Sequence, residues 1–325
     1  MKPRILIYRA QPDAVEARLA EHFSIERIDG LRANPDALAD ALAQVDGALG
    51  SSVAIGAAEL SRATRLRAIA TVSVGIDKFD LAALDARHVV LSHTPDVLTE
   101  TTADTVFALV LATARRVVEL ADYVRAGRWQ KSIGAELYGV DVHHKTIGII
   151  GLGRIGQAVA RRAALGFGMK VLYHGRHRDE TAERTYGARL CSLDTLLGEA
   201  DFVCLQVPLT DATRGMIGSR ELSLMKPDAI LINASRGAVI DEAALIAALT
   251  EGRVRAAGLD VFEHEPVSAD SALLRLPNVV PLPHIGSATE ETRVAMAMQA
   301  ADNLIAALIR NELPNTVNPA AWAKR

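Results

Sequence analysis

The segment KTIGIIGLGRIGQAVA, residues 145–160, restricts the folds open to this chain more than any other. Gly151, Gly153 and Gly156 directly follow an apolar strand pattern and open a helical pattern, which is the setting of the GxGxxG dinucleotide fingerprint. The three glycines permit a tight turn, a close approach of backbone to pyrophosphate, and close packing of helix on strand. The segment therefore predicts a βαβ unit whose helix N-terminus binds the phosphates of a dinucleotide.

Short apolar runs alternate with helical patterns in two stretches of the chain, residues 5–94 and again from residue 146. Such alternation predicts parallel sheets covered by helices. Aromatic residues make up only 4% of the sequence, so the cores must consist mainly of Ala, Leu, Ile and Val, as buried parallel sheets do. We expect an α/β protein with two Rossmann-like doubly wound parallel-sheet domains and a cleft between them.

The last helical pattern, residues 289–311, cannot form a domain alone, and we expect it to pack on the first domain. This makes the substrate domain discontinuous, with residues 1–97 and 288–325, and assigns residues 98–287 to the dinucleotide-binding domain. One long helix is predicted over residues 99–125, with Thr101 and Asp104 as its capping box.

Charge and composition exclude several classes of protein. With a net charge of −3 and interspersed signs, the chain lacks the basic surface that nucleic acid or an anionic membrane requires. No run reaches the roughly 20 apolar residues of a membrane span, and the first residues lack the apolar core of a signal peptide. Two cysteines, Cys191 and Cys204, form no disulfide framework. We expect a cytoplasmic protein that acts on small molecules.

The end of the second strand after the fingerprint, VLYHGRHRDE, indicates which dinucleotide is bound. An NAD site carries Asp or Glu there to bind the ribose 2′-hydroxyl. Here His174 and Gly175 stand at that position and Arg176 and Arg178 follow, so two guanidinium groups replace the acid. Arginine binds phosphate oxygens bidentately. The sequence predicts a preference for NADPH, with NADH as a possible second cofactor.

Three segments at predicted strand ends carry candidate catalytic groups: NASRG, DVFEHEP and PHIGS. Reduction of a 2-oxo acid needs a cation for the carboxylate, an acid that protonates the carbonyl oxygen, and a partner that keeps this acid charged. Arg236, His284 and Glu265 supply these three groups. Each alone has an ordinary structural explanation, so the prediction rests on their conjunction after one dinucleotide fingerprint.

The sequence resembles the D-isomer-specific 2-hydroxyacid dehydrogenases, whose pattern includes SxGxD, GLGRIG, NxxRG, GLDVFExEP and PHIGS. Ser73, Gly75 and Asp77 match the first motif, and the others match as quoted. HTPDVLTETTADT, DFVCLQVPLTDAT and LPHIGSATEETR are most similar to the glyoxylate and hydroxypyruvate reductases of the family. The resemblance spans nearly the whole chain and implies reduction of these acids, with 2-keto-D-gluconate as a further candidate.

The resemblance also implies roles for individual residues. His284 is the general acid, Glu265 its partner, and Arg236 binds the carboxylate and polarises the carbonyl. Backbone N–H groups bind the other side of the carboxylate, and the implied substrate-binding residues are Val74, Gly75, Arg236 and Ser287. The implied cofactor-binding residues are Thr105, Gly151, Leu152, Gly153, Arg154, Ile155, Gly156, Gly175, Arg176, Arg178, Val207, Pro208, Thr213, Ala234, Asp260, His284 and Gly286. No metal site is predicted.

A homodimer is implied as well, with Trp129 in an arm that embraces the partner and Tyr138 near the partner's active site; ordinary packing of the arm is the alternative. Other activities on this scaffold stay open. These are 3-phosphoglycerate dehydrogenase and a corepressor that binds nucleotide without turnover. Formate dehydrogenase is disfavoured, because that enzyme has Gln where this chain has Glu265.

Overall fold

The computed structural model describes residues 2–28 and 35–324. The chain forms two compact units, one of Met1–Leu98 with Ala288–Arg325 and the other of Thr99–Ser287. Each is an α/β unit built on a parallel sheet, which confirms the predicted fold class. In the part of the chain that the structure describes, no helix is long and apolar enough to cross a membrane.

The first unit has a parallel sheet in the order β2-β1-β3-β4-β5 among the described residues. Its strands are β1 (Arg4–Ile7), β2 (Ser24–Arg27), β3 (Gly47–Gly50), β4 (Ala68–Thr71) and β5 (Val90–Ser92). Its helices are α1 (Asp13–Ala20), α2 (Pro35–Leu42), α3 (Leu81–Ala86) and α11 (Glu290–Ile305). As predicted for the last helical segment, α11 packs on β3, β4 and α1. The chain after it forms an antiparallel bridge to β5, between Ser92 and Thr316.

The second unit has a parallel sheet in the order β12-β11-β10-β9-β6-β7-β8. Its strands are β6 (Thr146–Ile150), β7 (Lys170–His174), β8 (Arg189–Leu190), β9 (Phe202–Leu205), β10 (Ile230–Asn233), β11 (Ala256–Leu259) and β12 (Val279–Pro281). Its helices are α4 (Thr99–Ala114), α5 (Val117–Arg125), α6 (Arg154–Arg161), α7 (Glu180–Tyr186), α8 (Leu193–Glu199), α9 (Ser219–Leu224) and α10 (Glu242–Thr250).

The prediction of one helix over residues 99–125 is wrong, because α4 and α5 are separate helices. Arg116 lies between them in the left-handed region, with φ 54°. Its guanidinium donates to both carboxylate oxygens of Glu119, at 2.8 and 2.7 Å, and to the carbonyl of Glu136 at 2.6 Å. The N–H of Val140 donates to the carbonyl of Ala114, the last residue of α4, at 2.9 Å. These contacts come from a later segment, so no local signal marks the break.

The predicted capping box of α4 is also wrong. The helix begins at Thr99, so Thr101 lies inside it. Asp104 faces the neighbouring α6 instead, where its Oδ1 accepts hydrogen bonds from Nε and Nη2 of Arg162 at 2.8 and 2.6 Å. The carboxylate therefore joins two packed helices.

Candidate active site

The glycine-rich loop lies between β6 and α6, as the sequence predicted. Gly151 has φ +96°, and a Cβ there would lie 2.5 Å from the carbonyl oxygen of Gln206. Gly156 is buried, and a Cβ there would strike the carbonyl of Gly151. Only glycine fits either position. Gly153 is the N-cap of α6 and has no side chain to cap the first N–H groups. These N–H groups have no acceptor within the helix, so a pyrophosphate could accept hydrogen bonds from them.

Two further observations fit a dinucleotide at this loop. A Cβ on Gly153 would meet no described atom within 4 Å, so the second glycine opens on free space. Gln206, which follows β9 beside the loop, has a buried side-chain amide nitrogen without a partner among the described residues. A buried donor of this kind is costly unless a ligand or water accepts from it. Leu152 and Ile155 pack below the loop, whereas the side chain of Arg154 is exposed.

The tip of β7 carries the residues expected to select the cofactor. His174 ends the strand, and its Nδ1 lies 3.1 Å from the carbonyl of Cys191. Gly175 follows, and Arg176 and Arg178 are exposed. Asp179 is used as the N-cap of α7, where it accepts from the N–H of Ala182 at 2.8 Å. Its other oxygen accepts from the side-chain amide of Gln157 on α6 at 2.8 Å, so both oxygens of Asp179 already have protein partners.

Arg178 has a protein partner that the sequence did not predict. Its Nε and Nη2 donate to Oε2 of Glu183 at 2.9 and 2.7 Å. The other oxygen of Glu183 accepts from the hydroxyl of Tyr173 at 2.9 Å, and that hydroxyl accepts from the N–H of Asp179 at 2.8 Å. The hydrogen bond from Arg178 and that from Tyr173 lower the pKa of Glu183. Arg178 is thus held by a carboxylate on α7.

The loop after β10 places Arg236. Asn233 is fully buried; its side-chain amide donates to the carbonyl of Arg236 at 2.9 Å, and its Oδ1 accepts from the N–H and hydroxyl of Ser235 at 3.0 and 2.9 Å. A Cβ on Gly237 would strike the backbone of Phe262. The glycine therefore lets the NASRG and DVFEHEP segments touch, and Asn233 fixes the turn that carries Arg236.

Asp260, the first residue after β11, joins two predicted motifs. Its N–H donates to the carbonyl of Asn233 at 2.8 Å. Its carboxylate accepts from the N–H groups of Ile285 and Gly286 at 2.7 and 2.8 Å. Burial raises the pKa of Asp260, and these two hydrogen bonds oppose that shift. The prediction assigned Asp260 to the nicotinamide side of the cofactor; the structure shows that its side chain holds the PHIGS segment.

Glu265 and His284 form the predicted pair. His284 has φ 56°, and its Nδ1 lies 2.7 Å from Oε2 of Glu265. Oε1 of Glu265 accepts from the N–H of Phe262 at 3.1 Å. Burial raises the pKa of Glu265, but the hydrogen bond and charge of His284, the Phe262 N–H and the charge of Arg236 outweigh burial, so the pKa is lowered. An ionised carboxylate at Nδ1 orients the ring and leaves Nε2 as the nitrogen that faces away from Glu265.

The remaining predicted residues of this unit lie on the surrounding loops. Thr105 on α4 donates to the carbonyls of Thr101 and Gly286, at 3.3 and 3.4 Å. Thr213 donates to the carbonyl of Pro208 at 2.6 Å, so its hydroxyl closes its own loop. Val207 and Pro208 follow β9, Ala234 follows β10, and Ser287 follows Gly286. All except Thr105 on α4 lie beyond the carboxyl ends of strands, where open α/β sheets bind ligands.

Val74 and Gly75 belong to the first unit, in the loop after β4. The hydroxyl of Ser73 donates to the carbonyl of Gly75 at 2.8 Å. This gives the serine of the SxGxD motif a structural role, because it holds the turn. Sequence reasoning missed Asn233, Gln206 and Glu183, although Asn233 is the first residue of the quoted NASRG motif.

Comparison with known proteins identifies the family of this chain. The model of the D-isomer specific 2-hydroxyacid dehydrogenase NAD binding domain matches residues 107–286. Two relatives, both called glyoxylate/hydroxypyruvate reductase B, are each 58% identical to the chain: one from Klebsiella pneumoniae over 98% of this chain and 99% of the relative, and one from Serratia proteamaculans over 98% of both.

Solved structures of the family have the same fold. A protein of Thermus thermophilus matches with a TM-score of 0.89 and 43% identity over 97% of this chain and 99% of that one. The NADPH-dependent glyoxylate/hydroxypyruvate reductase of Sinorhizobium meliloti, solved with NADP and malonate, matches with a TM-score of 0.87 and 35% identity over 99% and 98%. The chain therefore belongs to the D-isomer-specific 2-hydroxyacid dehydrogenases and is an NAD(P)-dependent oxidoreductase.

Proposed function

We propose that this protein is an NADPH-preferring reductase of glyoxylate and hydroxypyruvate, with 2-keto-D-gluconate as a third substrate. The 2.7 Å contact between His284 and Glu265 carries the proposal, because it supplies an oriented proton donor beside a guanidinium. The relatives from Klebsiella pneumoniae and Serratia proteamaculans, called glyoxylate/hydroxypyruvate reductase B, support the choice of substrates.

His284 acts as the general acid in this proposal. Its Nδ1 is engaged by Glu265, so Nε2 is the ring nitrogen that delivers a proton to the carbonyl oxygen of the substrate. Arg236, held by Asn233, binds the substrate carboxylate and polarises the carbonyl. When bound, the nicotinamide cofactor supplies the hydride that reduces the carbonyl carbon. Proton transfer leaves His284 neutral, and because its side chain is 46% exposed it can take up the next proton from solvent.

The cofactor is held by the glycine-rich loop and the tip of β7. The N–H groups at the start of α6 bind the pyrophosphate, and Arg176 with Arg178 binds the 2′-phosphate. The S. meliloti neighbour, crystallised with NADP and described as NADPH-dependent, supports this preference. Arg178 then divides its N–H groups between Glu183 and the phosphate, whereas Arg176 is exposed and has no such competitor among the hydrogen bonds described above.

The substrate carboxylate is bound on its other side by the backbone N–H groups of Val74 and Gly75, and Ser287 completes the substrate contacts. The family resemblance supports this assignment. The loop geometry also supports it, since Ser73 fixes the carbonyl of Gly75 and so the orientation of that turn.

A second copy of the chain covers the arm that follows α4 in this proposal. Val117, Val124, Trp129, Ile133 and Tyr138 are 45–63% exposed. Several large apolar side chains exposed within one stretch of the chain are typical of protein interfaces. Sedimentation of the wild type and of Val124→Asp tests the homodimer: we expect a dimer that the charged variant converts to monomer. A monomeric wild type would overturn it. We also propose the cytoplasm as location, consistent with two free cysteines.

Steady-state oxidation of NADPH and NADH with each of the three oxo acids tests the function. We expect turnover with NADPH on glyoxylate and hydroxypyruvate well above the blank without substrate, and a lower kcat/KM with NADH. Rates equal to the blank on all three acids would reject the reductase and favour a nucleotide-binding sensor. Turnover confined to a phosphorylated oxo acid would favour a phosphoglycerate dehydrogenase.

A further inference from the structure

The loop after β4 is fixed by hydrogen bonds inside the first unit. Ser73 donates its hydroxyl hydrogen to the carbonyl of Gly75, so it must accept from the hydroxyl of Thr71, which lies 2.8 Å away and is fully buried. The carbonyl of Ser73 accepts from the N–H of Thr94 at 2.9 Å. Only the peptide unit between Val74 and Gly75 remains to be oriented.

His93, directly after β5, makes that contact. Its Nδ1 lies 3.0 Å from the carbonyl oxygen of Val74. A carbonyl oxygen can only accept, so Nδ1 carries a hydrogen whenever this bond is made. The ring therefore donates to the loop.

The position of His93 is itself fixed by the end of the chain. Its N–H donates to the carbonyl of Asn315 at 3.1 Å, and its carbonyl accepts from the side-chain amide of Asn303 on α11 at 2.9 Å. Asn315 in turn donates its side-chain amide to Oδ1 of Asn303 at 3.0 Å. Asn303 is buried, so this network holds the backbone of His93 from both sides.

The carbonyl of Val74 and the N–H of Gly75 belong to one peptide unit. A hydrogen bond accepted by the carbonyl polarises the unit and makes its N–H a stronger donor, since linked hydrogen bonds reinforce each other. It also fixes the plane of the peptide and thus the direction of the N–H. Both effects favour an anion at that N–H.

We propose that His93 is a positioning residue for substrate binding: by donating Nδ1–H to Val74 it orients and strengthens the Gly75 N–H that receives the substrate carboxylate. The inference rests on the proposed function, which places a carboxylate at Gly75. His93 acts on binding and not on proton transfer, so its removal raises the KM for the oxo acid and leaves kcat unchanged.

The variants His93→Leu and His93→Asn test the proposal. Leucine removes the donor at similar volume, whereas asparagine carries an amide donor at the position of Nδ1. We expect His93→Leu to raise the KM for glyoxylate and hydroxypyruvate roughly fivefold, as loss of one hydrogen bond would. Its kcat and the KM for NADPH should stay within about twofold, and His93→Asn should restore most of the substrate KM.

Binding of oxalate, an unreactive carboxylate, to each protein in the presence of NADPH is measured in parallel by calorimetry. This readout needs no turnover, so it separates failure of His93 from failure of the proposed activity. We expect the affinity for oxalate to be highest in the wild type, slightly lower in His93→Asn and lowest in His93→Leu. An unchanged substrate KM and oxalate affinity in His93→Leu would overturn the proposal. An equal loss in His93→Asn, or a parallel fall of kcat and cofactor binding, would also overturn it by showing a purely structural role.

Discussion

The second unit contains two sets of loops with different construction: the tip of β7, and the three loops with the proposed catalytic residues Arg236, Glu265 and His284, here called the catalytic loops. Asn233 and Asp260 are buried and bind the backbone of the neighbouring motifs, so the catalytic loops are joined to one another. At the tip of β7 the two arginines are exposed, and Arg178 binds an adjacent helix. Buried polar networks are costly to alter one residue at a time, whereas exposed loops tolerate change. The comparison teaches that the reaction and the cofactor preference can vary independently.

The largest expected effect comes from the catalytic loops. His284→Ala should lower kcat by about a thousandfold, the scale of general acid catalysis, because no other group delivers the proton in the proposed reaction. Stopped-flow and steady-state kinetics measure it. The exposed His264, in the DVFEHEP segment, supplies the control: His264→Ala should keep kcat within about twofold. Equal kcat in both variants would remove His284 from its role.

The second effect concerns the tip of β7. Arg176→Ala combined with Arg178→Ala should raise the KM for NADPH about thirtyfold, as expected for lost charge-assisted hydrogen bonds, and leave the KM for NADH nearly unchanged. Arg176→Ala alone should account for most of the rise in the KM for NADPH, since Arg178 already has Glu183 as a partner. Arg184→Ala, exposed on α7, is the matched control. A similar rise for both cofactors would contradict recognition of the 2′-phosphate.

A third effect depends on pH. The pKa of Glu265 lies below its ordinary value, so the stabilisation that its ionised form gives is complete above the unfolded pKa of about 4.3 and is lost as pH falls through the lower folded pKa. Glu265→Gln removes the carboxylate that faces Nδ1 of His284. We expect kcat to fall about tenfold, and the melting temperature to fall less at acid pH than that of the wild type, because the variant no longer has this carboxylate to protonate. Glu263→Gln, nearby and exposed, should keep the acid dependence of the wild type; an unchanged kcat and acid dependence in Glu265→Gln would count against the pair.

The smallest expected effect is on the KM for NADPH and concerns Glu183, the partner of Arg178 at the tip of β7. Glu183→Gln keeps an acceptor for Tyr173 but removes the charge that holds Arg178. Arg178 then turns more readily to the 2′-phosphate, and the KM for NADPH should fall about threefold, a change below 1 kcal/mol. The control Glu180→Gln lies in the first turn of α7. A rise in the KM for NADPH would show instead that Glu183 positions Arg178 for the cofactor.

Local patterns predicted where the glycine-rich loop and the NASRG, DVFEHEP and PHIGS segments lie, because glycine, proline and strand ends are read from consecutive residues. The predicted helix breaks where Arg116 donates to the carbonyl of Glu136 and Ala114 accepts from the N–H of Val140, and neither glycine nor proline marks that point. The partner of Arg178 was missed because Glu183 lies on the next helix and looks like any exposed acid. The helix break and the Arg178 ion pair depend on contacts between separate elements, so local sequence patterns could not predict them.

The segment after α11 has a consequence for solubility. β5 is the last strand of its sheet, and an open strand edge is a template for pairing with other chains. Here the N–H of Val317 donates to the carbonyl of Leu91 at 2.8 Å, and the side chain of Asn318 accepts from the N–H of Leu91 at 2.7 Å. The segment therefore occupies the backbone groups of Leu91 at that edge. Its removal would leave a protein prone to aggregate through β5.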